Sequence, residues 1–410
     1  MEFLPLEGIR ILDLTMWWSG PICTSYFGAQ GAEVIKVESV QSPDGFRFTM
    51  TTPRDNWWEL GPQFNAANHS KLGLTLNLNS SEGIQLLKDL AAKCDVVIEN
   101  FTPRVMKNFG LSYEALREVN PEIIMLSMPA YGSNGPYRNR PGFAYTFEIL
   151  SGIAQTNGYE NEKPMIVSGV ADVISGFHTA YALLGALEYK NRTGKGQFIE
   201  VAQVETCLSV VGQPIADISM NGRNWGRMGN RDPKMAPHGV YRSKDEDYWV
   251  ALVIQNDEEW QRFREVVGNP DWSNEERFRT AKDRLENQDE LDEYVEGWTS
   301  QYNHYESAEI LQSAGISAGP VLEVDEITEA GYLKGMFQET TRELTGTHAY
   351  PSWPVKFSGK RVEHQRPAPI LGQHNEYVLK DILELTDEQI SELEDTQVIG
   401  AKPLGVDVGG

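Results

Sequence analysis

The chain has 410 residues, more than one hydrophobic core usually organises, so two domains are expected. Its apolar fraction of 40% and charged fraction of 23% are those of an ordinary globular protein, not of a disordered or fibrous one. The formal charge of -23 argues against non-specific nucleic-acid binding. No run approaches the ~20 apolar residues of a spanning helix, and MEFLPLEGIRILDL lacks the basic-then-apolar layout of a signal peptide, so no membrane partner and a cytoplasmic location are expected. Cys23, Cys94 and Cys207 are scattered, which reads as three reduced thiols packed as small apolar residues.

In chain order, the first 205 residues alternate β-rich runs with helical segments, the pattern of a helix-covered parallel sheet. Strands are expected at Ile9–Leu14, Glu33–Val37, Asp95–Glu99 and Ile123–Ser127. A helix should start after Ser80 and Ser81 as N-caps, with Glu82 in its first turn and apolar repeats at Ile84, Leu87, Leu90 and Ala91. A second helix should run from Val173 to about Lys190, stopped by Asn191-Arg192-Thr193-Gly194, and be buried on every side. Its small residues, Gly176, Ala180, Ala182, Gly185 and Ala186, would let a neighbouring backbone come close. Gln197–Val204 reads as a further strand.

The segment NGRNWGRMGNRDPKMAPHG, from about Asn221, reads as a linker into a second domain. A strand pair is expected there, Val240–Arg242 and Tyr248–Ile254 around the turn Ser243–Asp247, followed by amphipathic acidic helices between Asp257 and Gly315. Strands and Pro-rich turns should fill Tyr332 to Gly372, and Thr386 before Asp387, Glu388 and Gln389 fits a capping box for a last helix to Glu394. The expected architecture is therefore α/β: a Rossmann-like open parallel sheet domain from residues 1–220 with 332–410, and a smaller α+β domain from 221–331.

Several chemistries are excluded. The glycine runs do not fit a phosphate loop, the seven histidines show no metal-ligand spacing, and no G-x-S-x-G elbow occurs, so no metal centre is expected. The informative stretch is Pro164 to Glu205, where Asp172 ends a small-residue run at the start of the second helix. By position alone Asp172 reads as an N-cap. A catalytic role is compatible with that, because a helix N-terminus keeps a carboxylate ionised and amide donors nearby can stabilise an oxyanion.

LEGIRILDLT with SGP, GAEVIKVES, CDVVIENFTPRVMKNFGLSYEAL, NPEIIMLSMPAYGSNGPY, GVAD with SGFH, and TGKGQ together resemble the family III CoA transferases, in order along nearly the whole chain. That family includes formyl-CoA and carnitine CoA transferases and is similar in fold to the alpha-methylacyl-CoA racemases. The match is weaker in the second domain, where APHGVYRSKDEDYWVAL and AGISAGPVLEVDEI carry it, with LGQHNEYVL near the end. The resemblance implies transfer of CoA from an acyl-CoA to a carboxylic acid through an anhydride and a thioester on Asp172, followed here by the matching Ser175, Gly176 and His178. It implies CoA or acyl-CoA as substrate, with no tightly bound cofactor, and two chains threaded into an interlocked homodimer. CoA contacts are implied at Trp18 and Ser19, at Leu76, Asn77, Leu78 and Asn79, at Asn100, Phe101 and Thr102, and near the phosphates at Asn108.

Ser39, Asn79 and Asn108 stand where formyl-CoA transferase has basic residues, leaving Lys71, Arg104, Lys107, Arg138 or Arg140 as phosphate anchors or as ordinary solvated bases. Trp18 takes a position often held by a smaller or amide side chain, and the second-domain glycine loop of formyl-CoA transferase is not visible, so oxalate is a poor substrate expectation. Trp17, Trp18, Trp57 and Trp58 read either as an apolar acyl pocket or as core. Two rival readings stand beside transfer. An acyl-CoA racemase or isomerase needs two proton-transfer groups, yet Phe143-Ala144 occupies the place of the racemases' His-Asp. A non-catalytic CoA-binding subunit paired with an active paralogue would keep the fold without the chemistry.

Overall fold

The computed structural model describes residues 4–329, 331–333 and 335–406; residues 1–3, 334 and 407–410 of the expected large domain, and residue 330 of the expected smaller one, lie outside them. The chain forms two compact units. One is built from residues 1–154, 166–224 and 335–410, the other from 155–165 and 225–334.

The first unit is an α/β unit around a six-stranded parallel sheet ordered β3-β2-β1-β4-β5-β6. The strands are β1 (Arg10–Asp13), β2 (Glu33–Glu38), β3 (Lys71–Thr75), β4 (Val96–Glu99), β5 (Ile124–Ser127) and β6 (Phe198–Glu200). Both faces are buried, as a parallel sheet requires. Leu12, Ile35, Leu72 and Val97 pack on one face beneath Leu87 and Leu90 of the helix Ser81–Ala91. Ile11, Val34, Val96 and Ile98 pack on the other, beneath Phe27 of helix α1 (Ser19–Ala29) and Leu183. The Ser80 hydroxyl accepts the Gly83 N–H at 3.0 Å, so Ser80 is the N-cap.

β3 was not among the expected strands, because Lys71 and Gly73 break its apolar run. Lys71 is fully buried, and its Nζ pairs with Asp13 of β1 at 3.0 Å. Gly73 is required where the C-terminal segment crosses, since a Cβ there would meet Pro369 Cβ at 2.8 Å. The same segment accepts the Thr75 N–H on Asn375 Oδ1 at 2.9 Å. The strand expected at Gln197–Val204 is confined to Phe198–Glu200, and Gln203–Thr206 turns into a short helix.

The second expected helix runs over Val170–Thr193, three residues longer at each end. It is not buried on every side: Ala180, Leu183 and Ala186 face the sheet while Phe177, Tyr181, Leu184 and Tyr189 are exposed. Gly176 does permit a close crossing, for a Cβ there would lie 2.6 Å from Ile22 Cγ2 and 2.8 Å from the Ser19 carbonyl on α1. Contrary to the expectation that no such run exists, this helix is long and apolar enough to cross a membrane, by length and composition alone. Core helices of globular proteins have the same composition.

The second unit carries the antiparallel sheet β7 (His238–Arg242), β8 (Trp249–Val253) and β9 (Ser317–Val321), backed by Trp260, Phe263, Leu291, Val295 and Leu311 of its acidic helices. Back in the first unit, Thr386 and Gln389 form the expected capping box at the start of the helix Asp387–Asp395.

Candidate active site

In an open parallel sheet, ligands bind beyond the carboxyl ends of the strands where the connection order reverses. Here that place lies between β1 and β4. Met16 and Trp17 after β1 meet Asn100, Phe101 and Thr102 after β4 around a cavity of about 200 Å³ that Asp172 also lines.

The loop after β1 is held residue by residue. Asp13 Oδ1 accepts the Thr15 N–H at 2.9 Å, and buried Lys36 donates to the Thr15 carbonyl at 2.7 Å. Asn100 accepts the Met16 N–H at 2.9 Å and donates Nδ2–H to the Met16 carbonyl at 2.7 Å. Asp44, paired with Lys36 at 2.9 Å, accepts the Trp17 N–H at 3.0 Å. Burial alone would raise the Asp13 carboxyl, but Lys71 and Lys36 beside it hold it below its ordinary range. These bonds fix Trp17 in the left-handed region at φ +66°, a conformation that a bulky residue keeps only when its surroundings impose it. Below the Phe101 turn, Glu99 accepts the Phe101 N–H at 2.7 Å, and burial pushes its carboxyl up to about 7.

Asp172 is not the N-cap. The long helix begins after Gly169, at φ +113°, and Asp172 is its third residue. Its carboxylate accepts no hydrogen bond from the described residues, so the capping reading does not hold. Burial, and next the negative Glu148, push it up to about 7. Glu148, fully buried on the helix Ala144–Ser151, accepts the Val167 N–H at 2.7 Å and the Gly169 N–H at 2.9 Å, which anchors the segment leading into the Asp172 helix. Trp18 packs against the same segment: a Cβ on Gly169 would lie 2.7 Å from Trp18 Cζ3. One turn along, the Ser175 hydroxyl shares a 2.8 Å bond with Thr206, whereas exposed His178 only bonds the Ile174 carbonyl. Gln203 donates Nε2–H to the Met128 carbonyl at 2.8 Å, and its buried Oε1 has no partner among the described residues.

Of the expected CoA contacts, Ser19, Asn100, Phe101 and Thr102 line the cavity with Asp172. Trp18 does not; it is packed between Gly169 and Phe46. Leu76, Asn77, Leu78 and Asn79 follow the edge strand β3, two strands from β1, with Leu76 in the core and Asn77 Oδ1 accepting the Asn79 N–H at 3.0 Å. Asn108 is exposed at the end of the helix Arg104–Asn108. Lys71 is excluded as a phosphate anchor by its burial against Asp13, while Arg104, Lys107, Arg138 and Arg140 are exposed.

The four tryptophans do not assemble into one pocket. Trp58 is buried and Trp57 meets Phe48 edge to face; of the four only Trp17 lines the cavity, beside its ring partner Phe143. The sequence reading missed Glu148 and Gln203. Glu148 had one usable signal, an acid inside the apolar run AYTFEILSG, and Gln203 had none. No group of three or more metal-ligating side chains occurs among the described residues.

The chain matches the family model described as CoA-transferase family III over residues 6–375. It is 31% identical over 409 residues to the succinyl-CoA–L-malate CoA-transferase beta subunit of Chloroflexus aurantiacus, covering 97% of this chain and 98% of that one. It is 29% identical over 406 residues to the succinyl-CoA:glutarate CoA-transferase of Homo sapiens, covering 95% of this chain and 88% of that one. A crystal structure of a CaiB/BaiF family protein from Brucella suis superposes with a TM-score of 0.85 at 27% identity, over 93% of this chain and all of that one. The sequence motifs, the parallel sheet and the match over most of the chain agree: this protein belongs to CoA-transferase family III, enzymes that move CoA between acyl-CoA donors and carboxylic acids.

Proposed function

We propose that transfer runs through covalent intermediates on Asp172. A carboxylate oxygen of Asp172 attacks the thioester carbon of the donor acyl-CoA; the C–S bond breaks, giving a mixed anhydride and CoA thiolate. The thiolate attacks the aspartyl carbonyl of the anhydride, releasing the donor acid as its carboxylate and leaving an aspartyl-CoA thioester. The acceptor carboxylate then attacks that thioester and expels the thiolate. The thiolate in turn attacks the acceptor acyl carbon, giving the new acyl-CoA and free Asp172.

The observation that carries this reading is that Asp172 is the one titratable side chain among the residues lining the cavity. A nucleophile needs a carboxylate free of competing bonds, and this one has no hydrogen-bond donor among the described residues. A racemase would need two proton-transfer groups in the same cavity, and where one would stand Phe143 presents a hydrocarbon ring. Asn100 and Ser19 are the polar groups placed to orient the thioester, and Phe101 and Thr102 the turn against which the CoA arm lies. Intact-mass measurement of the enzyme mixed with acyl-CoA tests the reading, since the thioester adds the mass of CoA less water to the chain.

The homodimer implied by the family resemblance is part of this proposal. Phe177, Tyr181 and Leu184 recur at helical spacing as one exposed apolar face of the long helix, a surface that a second copy of the chain would cover. Light scattering at micromolar concentration tests it; a stable monomer contradicts it.

A further inference from the structure

We propose that Asp44 and Gly45 are positioning residues for CoA transfer, acting on the Asp172 site through Trp17 rather than only capping their own turn. The proposal rests on the transfer reading above and adds two residues to it.

Asp44 caps the short turn Gly45–Arg47, its Oδ1 accepting the Phe46 N–H at 3.0 Å. A cap needs no more than that, yet the same oxygen accepts the Trp17 N–H at 3.0 Å and Oδ2 holds Lys36 at 2.9 Å. Lys36 in turn donates to the Thr15 carbonyl at 2.7 Å, so the pair grips the loop after β1 on either side of Met16. Asp44 is also held from behind. Its N–H is donated to Glu38 Oε1 at 3.0 Å, and Arg47 clamps Glu38 at 2.7 Å. The Lys36 and Asp44 side chains have no exposure within a single chain, so nothing that a second copy covers alters these bonds. A buried ion pair adds little stability beyond what apolar packing would give, which leaves its bonds to the loop as its distinctive effect.

Gly45 is a second, independent observation. Its φ lies outside the left-handed region, so the backbone itself does not require glycine there, but a Cβ would overlap the Trp17 indole. One residue of the turn thus holds the Trp17 backbone, and the next makes room for its ring.

Trp17 connects the turn to the chemistry. It lines the cavity with Asp172, and the two residues after it pack at positions flanking Asp172 in the chain: Trp18 on Gly169, and the Ser19 carbonyl against Gly176. A shift of Trp17 is passed to both, and a misplacement of about 1 Å can lower a rate by about a hundredfold.

Three variants of the full-length enzyme test this, with two readouts. One is kcat for exchange of isotope-labelled succinate into succinyl-CoA, beside calorimetric CoA affinity and melting temperature. The other is deuterium uptake by the peptide containing Thr15–Trp17, which needs no substrate. Asp44→Ser keeps a cap for Phe46 but is too short to reach Trp17, so kcat should fall about tenfold to a hundredfold and deuterium uptake should rise. CoA affinity should change by less than about threefold, a loss in kcat rather than in binding. Asp44→Asn loses the same ion pair but keeps an acceptor at the same reach, so it should melt like Asp44→Ser and lose less rate. Gly45→Ala removes no bond and no charge, yet by displacing the indole it should also lower kcat by about tenfold; it carries the test if the Asp44 variants do not fold. Wild-type kcat in Gly45→Ala, equal rate losses in both Asp44 variants, or unchanged deuterium uptake in both overturns the proposal. Transfer retained by Asp172→Asn, with the Asp44 and Gly45 effects as expected, removes the covalent role of Asp172 and leaves the positioning of Trp17 in place.

Discussion

Asn100 and Met16 are joined by a two-point bridge in which one amide side chain accepts the Met16 N–H at 2.9 Å and donates to the Met16 carbonyl at 2.7 Å. The bridge ties the end of β4 to the loop after β1 across the reversal point of the sheet, so each side of the cavity is positioned by the other. Asn100→Ala leaves both Met16 groups short of a partner. It should cost about 1–3 kcal/mol of stability. Displacement of Trp17 should lower kcat/KM by about tenfold to a hundredfold. Chemical denaturation and steady-state kinetics check the two effects separately.

The pH profile should be set by Asp172. Its carboxyl sits at about 7 because burial, and then Glu148, disfavour its charge. Only the ionised form attacks, so kcat/KM should rise with pH to a plateau, with its midpoint near 7. Glu148→Gln removes the second cause and should move that midpoint downward. It also replaces an acceptor of two backbone N–H groups by an amide with a single acceptor oxygen, so a loss of stability should accompany the shift. A purely structural role for Glu148 would lower the plateau without moving the midpoint.

The same shift fixes the sign of a stability prediction. A carboxyl whose folded pKa lies above its ordinary 3.8 favours the folded state most while it is protonated. That contribution is lost as pH rises from about 4 to about 7, where the folded group must ionise in its buried setting. Asp172→Asn removes this penalty, and the side chain gives up no capping bond. The variant should therefore melt at pH 8 at or above the wild-type temperature, and calorimetry at pH 5 and pH 8 measures the difference.

Gly169→Ala should be costly for two reasons. Its φ of +113° is disfavoured for any residue with a Cβ, and that Cβ would stand 2.7 Å from the Trp18 ring. Strain of this kind amounts to about 1–3 kcal/mol. Because the segment leads directly into the Asp172 helix, thermal stability and turnover should fall together. An active variant of unchanged melting temperature would contradict the assignment of Gly169 and Trp18 as supports of the Asp172 helix.

What was legible in the sequence is what local pattern and the family motifs encode. Apolar runs ending in polar loops located β1, β2, β4 and β5, and Ser80 and Thr386 announced their helices because capping is a short-range interaction. β3 was hidden because its lysine is compensated by Asp13, 58 positions away in the chain. The start of the long helix was misplaced because Ser168 and Gly169 take left-handed conformations that end the preceding loop earlier than the apolar pattern suggests. Asp172 stood out through its motif, whereas its unbonded carboxylate and its neighbour Glu148 depend on a packing arrangement that no spacing reveals. The tryptophan-rich runs were ambiguous for the same reason: Trp17 and Trp18 are adjacent, yet one lines the cavity and the other supports Gly169.

The most direct test of the central claim is hydroxylamine trapping during turnover, followed by peptide mass mapping. The aspartyl thioester should yield a hydroxamate on the peptide containing Asp172 in the wild type. Asp172→Asn should bind acyl-CoA, form no hydroxamate, and lose transfer by many orders of magnitude. A modified peptide elsewhere, or an Asn variant that keeps more than about a tenth of wild-type transfer, a barrier difference under about 1.4 kcal/mol, would contradict Asp172 as the nucleophile.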